Sequence, residues 1–217
     1  MTTVGATLLL AAASGHAQFA DKLYFDVDGG GAFQQDIAIK NGTGFGNPPG
    51  NVKFDTGWRA GADVGYNFCK YFAAEVESGV IWNDINMGSS PALSAIPSAK
   101  AHLEEVPLLV NGIYKFPLEG SFKPYVGVGV GGVFGIFDSS NIPGSGPGAA
   151  PTYRDTDCVF AYQAEAGFKY SVSTHMDLGV AYKFVGTTDH NWHDNNITLK
   201  TDGTMTHTIL ATFTWRF

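Results

Sequence analysis

The chain has 217 residues, carries 20 acidic against 13 basic side chains, and has a formal net charge of -7. That length suits one domain, and the charge excludes a nucleic-acid partner, because no basic run is present to neutralise phosphates. With 28 Gly, 16 Phe and 9 Tyr but only 15% charged residues, the composition favours short strands and turns over helices.

The first stretch differs in kind from the rest. Val4 to Ala13 is short and apolar and is followed by Ser14-Gly15-His16-Ala17-Gln18, which reads as a secretory hydrophobic region with a small-residue cleavage site after Ala17. It is too short to cross a bilayer as a helix. No Lys or Arg precedes it, so either the start lies upstream or the leader is atypical; the plainer alternative is a disordered tail. The expected organisation is a signal peptide over 1–17 and a single domain over 18–217.

From residue 22 the apolar period is close to two, and eight strands are expected. The first, about 22–34, sets Leu23, Phe25, Val27 and Phe33 against Tyr24, Asp26 and Asp28. The second sets Phe54, Trp58, Ala60, Ala62, Val64, Tyr66 and Phe68 against Lys53, Asp55, Arg59, Asp63 and Asn67. In the third, Ala74, Val76, Val80 and Trp82 oppose Glu75, Glu77 and Asn83; in the fourth, about 102–116, Val106, Leu108, Val110, Tyr114 and Phe116 oppose Glu105, Asn111 and Lys115. Val126, Val128 and Val130 face away from Tyr125, Gly127, Gly129 and Gly131 in the fifth. Phe160, Tyr162, Ala164, Ala166, Phe168 and Tyr170 face away from Gln163, Glu165 and Lys169 in the sixth. The seventh pits Met176, Leu178, Val180, Tyr182 and Phe184 against Asp177 and Lys183. The last pits His207, Ile209, Ala211, Phe213, Trp215 and Phe217 against Thr206, Thr208, Leu210, Thr212, Thr214 and Arg216.

The connections alternate in length. Cys69-Lys70-Tyr71, Pro117 to Ser121 and Ser171 to Thr174 are tight, whereas roughly 35–51, 84–100, 138–156 and 186–205 are long and rich in Gly, Pro, Asn and Ser. Short turns on one side and long loops on the other is the up-and-down pattern of a transmembrane barrel, and an even strand count returns both chain ends to the short-turn side. Near-neutral mean hydropathy is compatible with this, since each alternating strand averages to zero. The same alternation could build a soluble, lipocalin-like barrel with Phe54, Trp58, Phe160, Tyr162 and Trp215 inside. Eight strands leave room only for side chains within, and that apolar set is too aromatic to fit, while the opposite set is rich in Gly and Ala. Aromatics near strand ends, Tyr66, Trp82, Tyr170, Tyr182 and Trp215, match interfacial girdles.

A closing strand that ends on Phe217, with Trp215 and Phe213 two and four positions earlier, resembles the assembly signal of Gram-negative outer-membrane β-barrels. Glu105-Val106-Pro107-Leu108-Leu109, Tyr114-Lys115-Phe116, Lys123-Pro124-Tyr125-Val126-Gly127-Val128-Gly129 and Phe160-Ala161-Tyr162-Gln163-Ala164-Glu165-Ala166-Gly167 occur in the order of the middle strands of the small opacity-like and OmpA-like barrel proteins. The similarity covers nearly all of residues 22–217. It implies an all-β, eight-stranded antiparallel barrel integral to the outer membrane, in contact with its lipid and lipopolysaccharide and delivered by the barrel-assembly machinery through the C-terminal strand. No peptidoglycan-binding domain is expected to follow the barrel.

The inward set decides the mechanism. Asp26, Asp28, Asp63, Glu75, Glu77, Glu105, Glu165 and Asp177 face Lys53, Arg59, Lys169, Lys183 and Arg216, and buried charges persist only when paired and hydrogen-bonded. The lumen is therefore expected to be an ionic plug, read either as a gate or as a filling that only rigidifies the wall. Such charges speak against an apolar conduit of the OmpW type. Pro107 forfeits a ladder bond in a barrel without free edges, so a bulge is expected there.

Enzyme-like features fare poorly. Gly127 to Gly132 matches a dinucleotide fingerprint, but no helix follows. His190, His193 and Asp194 could hold a metal, yet their spacing suits no standard helical ligand pair. His102 beside Glu104 and Glu105, and His207 in the last strand, lie near the rim where barrel lipid A deacylases and acyltransferases carry catalytic residues; neither has a placed nucleophile. No cofactor is expected. Cys69 in a short turn and Cys158 near the far end of strand six are most of a bilayer apart, so no disulfide joins them within one chain. Three functions follow: a non-enzymatic barrel whose loops act as surface antigen or adhesin for a host or surface ligand while supporting envelope integrity, a narrow low-conductance channel, and a lipid A-modifying rim enzyme.

Overall fold

The computed structural model describes residues 22–43, 51–86, 100–140, 153–194 and 197–217, so the expected leader over 1–17 lies outside the described residues. It contains β1 (Leu23–Gln34), β2 (Ile37–Thr43), β3 (Asn51–Val52), β4 (Gly57–Asn67), β5 (Phe72–Asp84), β6 (Lys100–Lys115), β7 (Phe122–Ser140), β8 (Tyr153–Ser171), β9 (Met176–Thr187), β10 (His190–Asp194), β11 (Ile197–Thr201) and β12 (Met205–Arg216). Eight of them form a closed antiparallel barrel in the order β1-β12-β9-β8-β7-β6-β5-β4. Closure is made by the first and last strands, paired from Tyr24 opposite Arg216 to Gln34 opposite Thr206. Every wall strand thus has two neighbours, the condition for sheet backbone to survive in hydrocarbon.

The side-chain alternation settles which way the barrel faces. Val128 is 69% exposed, Ile209 58% and Phe160 54%, whereas Arg59 is 1% and Glu77 0% exposed. A soluble barrel would invert those values, because exposing such a belt to water would forfeit about 25 cal/mol per Å². The inside-out alternative is therefore excluded.

Three expectations are corrected. The long connections carry a second sheet of four strands, in the order β10-β11-β2-β3, which stands at the long-loop end. In addition, β7 and β8, each 19 residues long, run well into the stretch read as a loop over 138–156, so the wall is taller on that side. Period two shows which side of a strand faces inward and not which strands pair, so stretches read as loops for their Gly, Pro, Asn and Ser content gave no sign of either feature. Second, Phe54 precedes β4 and is not lipid-facing: it bridges Ile85 and packs, partly buried, on Ile37 and Leu103. The regular backbone of β4 begins only at Gly57, so the parity counted back from Trp58 does not reach it.

Third, Pro107 makes no bulge. Pairing of β6 with β5 lapses opposite Gly79 and Val80, between Ser78 facing Leu108 and Ile81 facing Glu105, and the register is the same on both sides. On its other side β6 stays in register with β7 throughout, with Pro107 opposite Val133. A missing N–H therefore costs one rung and no shift.

Inside, bulk on one strand is matched by its absence on the next. Tyr24 lies over Gly65, where a Cβ would come within 2.1 Å of its ring, and Asn111 occupies the space a Cβ on Gly129 would need. Glycines in the inward set are thus the counterpart of large polar side chains. Of the tight turns, Pro117 to Ser121 contains Gly120 at φ 100°, a left-handed conformation open to glycine.

Candidate functional site

Period two and the shear of the barrel aim the even residues of β1 and β12, and the odd residues of β4 to β9, at the axis. At mid-height they meet in one network. Lys183 of β9 lies 3.0 Å from Asp28, 3.0 Å from Glu77, 3.5 Å from Asp63 and 3.9 Å from Glu165. Arg59 donates through its terminal nitrogen to Glu77 and sits with Nε 3.4 Å from Asp28. Glu77 also accepts from Asn111 Nδ2 and Gln163 Nε2, both at 2.7 Å. One carboxylate from β5 is therefore held by donors from four other strands, and its side chain lies across the axis.

Below it, toward the short turns, Lys169 pairs with Asp26, Tyr24 donates its hydroxyl to Glu75 at 2.5 Å, and Arg216 reaches Asp177 at 2.8 Å. Lys115 sits 4.6 Å and Lys169 5.4 Å from the Tyr24 ring centroid. Above the network Leu109, Val133, Ala161 and Val185 form an apolar layer. Higher still, Glu105 is held by Thr204 at 2.6 Å and Thr206 at 3.4 Å.

The structure thus brings Arg59, Asp63, Glu77, Glu165 and Lys183 together. Glu75 takes a phenol, Glu105 takes hydroxyls in a separate layer, and Arg216 belongs to the short-turn end. Lys53 does not join them: it precedes β4 and is exposed. The sequence reading missed the share of Tyr24, Asn111, Gln163 and the β12 threonines, although their inward parity was visible. Phe213, Trp215 and Phe217 lie on the outer face, the last two 41% and 60% exposed.

The model of the outer membrane protein β-barrel domain matches residues 5–217. The chain belongs to this family of outer-membrane β-barrels. It is similar to outer membrane protein PagN of Salmonella typhimurium, with 32% identity over 77 residues, which covers 36% of this chain and about a third, 32%, of that protein. Among solved structures, OprG of Pseudomonas aeruginosa has a TM-score of 0.60 at 14% identity, covering 92% of this chain and 99% of that one. Neisserial surface protein A has a TM-score of 0.55 at 15% identity, covering 90% and 97%. The barrel is accordingly an integral protein of the Gram-negative outer membrane, its apolar belt in lipid.

Both rim histidines contact neighbouring side chains. His207 faces outward with Nδ1 2.6 Å from Tyr182 Oη and Nε2 2.8 Å from Gln35 Nε2. The amide donates to Nε2, so Nδ1 carries the proton given to the phenol, and both ring nitrogens are occupied. The His102 ring stacks on Trp82, with centroids 4.1 Å apart. Cys69 and Cys158 are both exposed free thiols. Among the described residues no group of three or more His, Cys, Asp and Glu is arranged to hold a metal; the side chains of His193 and Asp194 lie outside them.

His190 is different. It is buried in β10 at the barrel mouth, with Nε2 3.2 Å from Thr187 Oγ1 and Nδ1 3.7 Å from Asp157 Oδ2. Thr187 in turn contacts Thr204 at 3.0 Å, which donates to Glu105. This line of side chains ties the outer sheet to the wall. Burial pushes the imidazole below its ordinary value, and the carboxylates of Asp157 and Asp189 oppose that shift.

Two outcomes follow. Lys183→Met leaves the carboxylates of Asp28, Asp63 and Glu165 without a common cation and costs about 3–5 kcal/mol, whereas Lys53→Met at the exposed margin changes stability by about 0.5 kcal/mol or less; urea unfolding in lipid vesicles measures both. Because the pKa of His190 is lower docked than free, its contribution to docking of β10 is complete above about pH 6.5 and is lost as pH falls below it. Hydrogen exchange, corrected for intrinsic rate, is expected to quicken in β10 and β11 on acidification, and His190→Gln to abolish that dependence.

Proposed function

We propose that this barrel is a non-enzymatic surface protein that presents its outer sheet and loops to a host or surface ligand, as antigen or adhesin, while the rigid wall supports the envelope. The observation that carries this reading is the pairing of a lumen filled by Glu77, Arg59 and Lys183 with a four-stranded sheet raised above it. A plugged axis leaves little for transport, and recognition residues gather on connections held by a rigid scaffold. Phe213, Trp215 and Phe217 are assigned to recognition by the barrel-assembly machinery during insertion. In His207 the ring nitrogens contact Tyr182 and Gln35, and neither contact is to a Ser, Cys or Thr nucleophile.

A narrow channel is the second reading, favoured by the four carboxylates around Lys183: a cation with several nearby partners can move between them. In planar bilayers that reading requires conductance that rises in Lys183→Gln.

Cells displaying the barrel are expected to adhere to host cells or matrix-coated surfaces. A variant with 36–55 and 188–203 replaced by short turns is expected to lose adherence by about tenfold while keeping the heat-modifiable gel migration of a closed barrel. Equal adherence of the two would remove the role assigned to the outer sheet, and fatty-acid release from lipid A would contradict the non-enzymatic reading.

A further inference from the structure

The lipid-facing wall is not uniformly convex. Near the short turns β5, β6 and β7 form a groove of about 540 Å³, floored by Ala74 and Gly112, walled by Val126 and Val128, and closed toward the turn by Phe72 and Tyr114. The two rings face each other across the β5–β6 pair with centroids 5.3 Å apart.

Gly112 is what makes the groove, and the fold does not require glycine there. Its φ is not in the left-handed region, and an added Cβ would meet only the Val128 carbonyl oxygen, at 4.0 Å. The contrast is with Gly129 and Gly131, where a Cβ would come within 1.8 Å and 2.1 Å of neighbouring atoms. Smallness at 112 therefore leaves space on the outer wall that the packing of the chain itself does not need. Just beyond the aromatic end, the Cys69-Lys70-Tyr71 turn carries Lys70, wholly exposed, its ammonium 4.8 Å from the Tyr71 ring centroid.

We propose that this groove seats one acyl chain of an anionic glycerophospholipid of the periplasmic leaflet, whose phosphate meets Lys70. Short turns of such barrels face the periplasm, which places the groove at inner-leaflet depth and Lys70 at headgroup height. The shape favours a chain over a second barrel, because a convex wall cannot enter a slot closed by Phe72 and Tyr114. The charge selects an anionic headgroup over a zwitterionic one. The inference concerns the lipid side of the wall and is independent of what the outer sheet binds.

The test is native mass spectrometry of the whole folded barrel in detergent, titrated with phosphatidylglycerol or phosphatidylethanolamine, with gel migration verifying closure of every variant. Wild type is expected to retain one phosphatidylglycerol, and Gly112→Leu, or Ala74→Ile should the first not close, to lower its occupancy about fivefold or more. Gly132→Leu fills another outward glycine, whose Cβ would meet nothing nearer than 3.6 Å, and is expected to leave occupancy unchanged. Lys70→Gln is expected to reduce phosphatidylglycerol to the level of phosphatidylethanolamine. Equal retention of the two lipids by wild type, equal loss in Gly112→Leu and Gly132→Leu, or a dimer that Gly112→Leu dissolves would each overturn the proposal.

Discussion

A backbone in hydrocarbon has no water to bond with, so each N–H and C=O of the wall must find a partner in the next strand. Closure of β1 on β12 is how this chain meets that demand, and everything else is arranged around it. Because pleated strands alternate, closure also divides the side chains into a set that must tolerate lipid and a set that must fill a narrow axis. Pro107 shows how strict the rule is: the ladder gives up one rung opposite Gly79 and Val80 and keeps its register.

At mid-height the axis is filled by charge and not by hydrocarbon, and that choice has consequences. Burying ions is costly unless each is paired and hydrogen-bonded, so Glu77 draws Arg59 and Asn111 from the adjacent β4 and β6, and Lys183 and Gln163 from β9 and β8 across the lumen, onto one carboxylate. The result is a cross-tie that locks the relative rotation of the strands. Toward the mouth the pattern changes, first to the apolar layer of Leu109, Val133, Ala161 and Val185, then to the hydroxyl-bound Glu105 and the Thr187–His190 contact that docks the outer sheet. The plug and the cap are therefore separate devices, one held by Lys and Arg ion pairs and one by hydroxyl hydrogen bonds to Glu105 and His190.

The wall was legible in the sequence because lipid on one side and a packed lumen on the other leave a strict period of two. Arg59, Glu77, Glu165 and Lys183 followed from that parity alone. Lys53 and Phe54 did not, since the strand they were counted from starts at Gly57 and parity carries no information past an irregular backbone. The partners of Glu75 and Glu105 were hidden for a different reason: a carboxylate can be held by a phenol or by threonine hydroxyls as well as by a cation, and composition does not distinguish these. The second sheet went unread because its short strands lie within connections rich in Gly, Pro, Asn and Ser, although Ile197-Thr198-Leu199-Lys200 does alternate. Its contact with the wall is made by the buried His190 and by Ile37, which packs with Leu103 of β6.

The central claim is the direction of the side chains, and labelling along β7 tests it most directly. In a background lacking Cys69 and Cys158, single cysteines at 126, 127, 128, 129 and 130 carry a fluorophore in brominated-lipid vesicles. Strong quenching at the even positions and weak quenching at the odd ones is expected, together with retained heat-modifiable migration. Quenching that is equal at both, or stronger at the odd positions, would contradict a barrel with its apolar face in lipid and its charges on the axis.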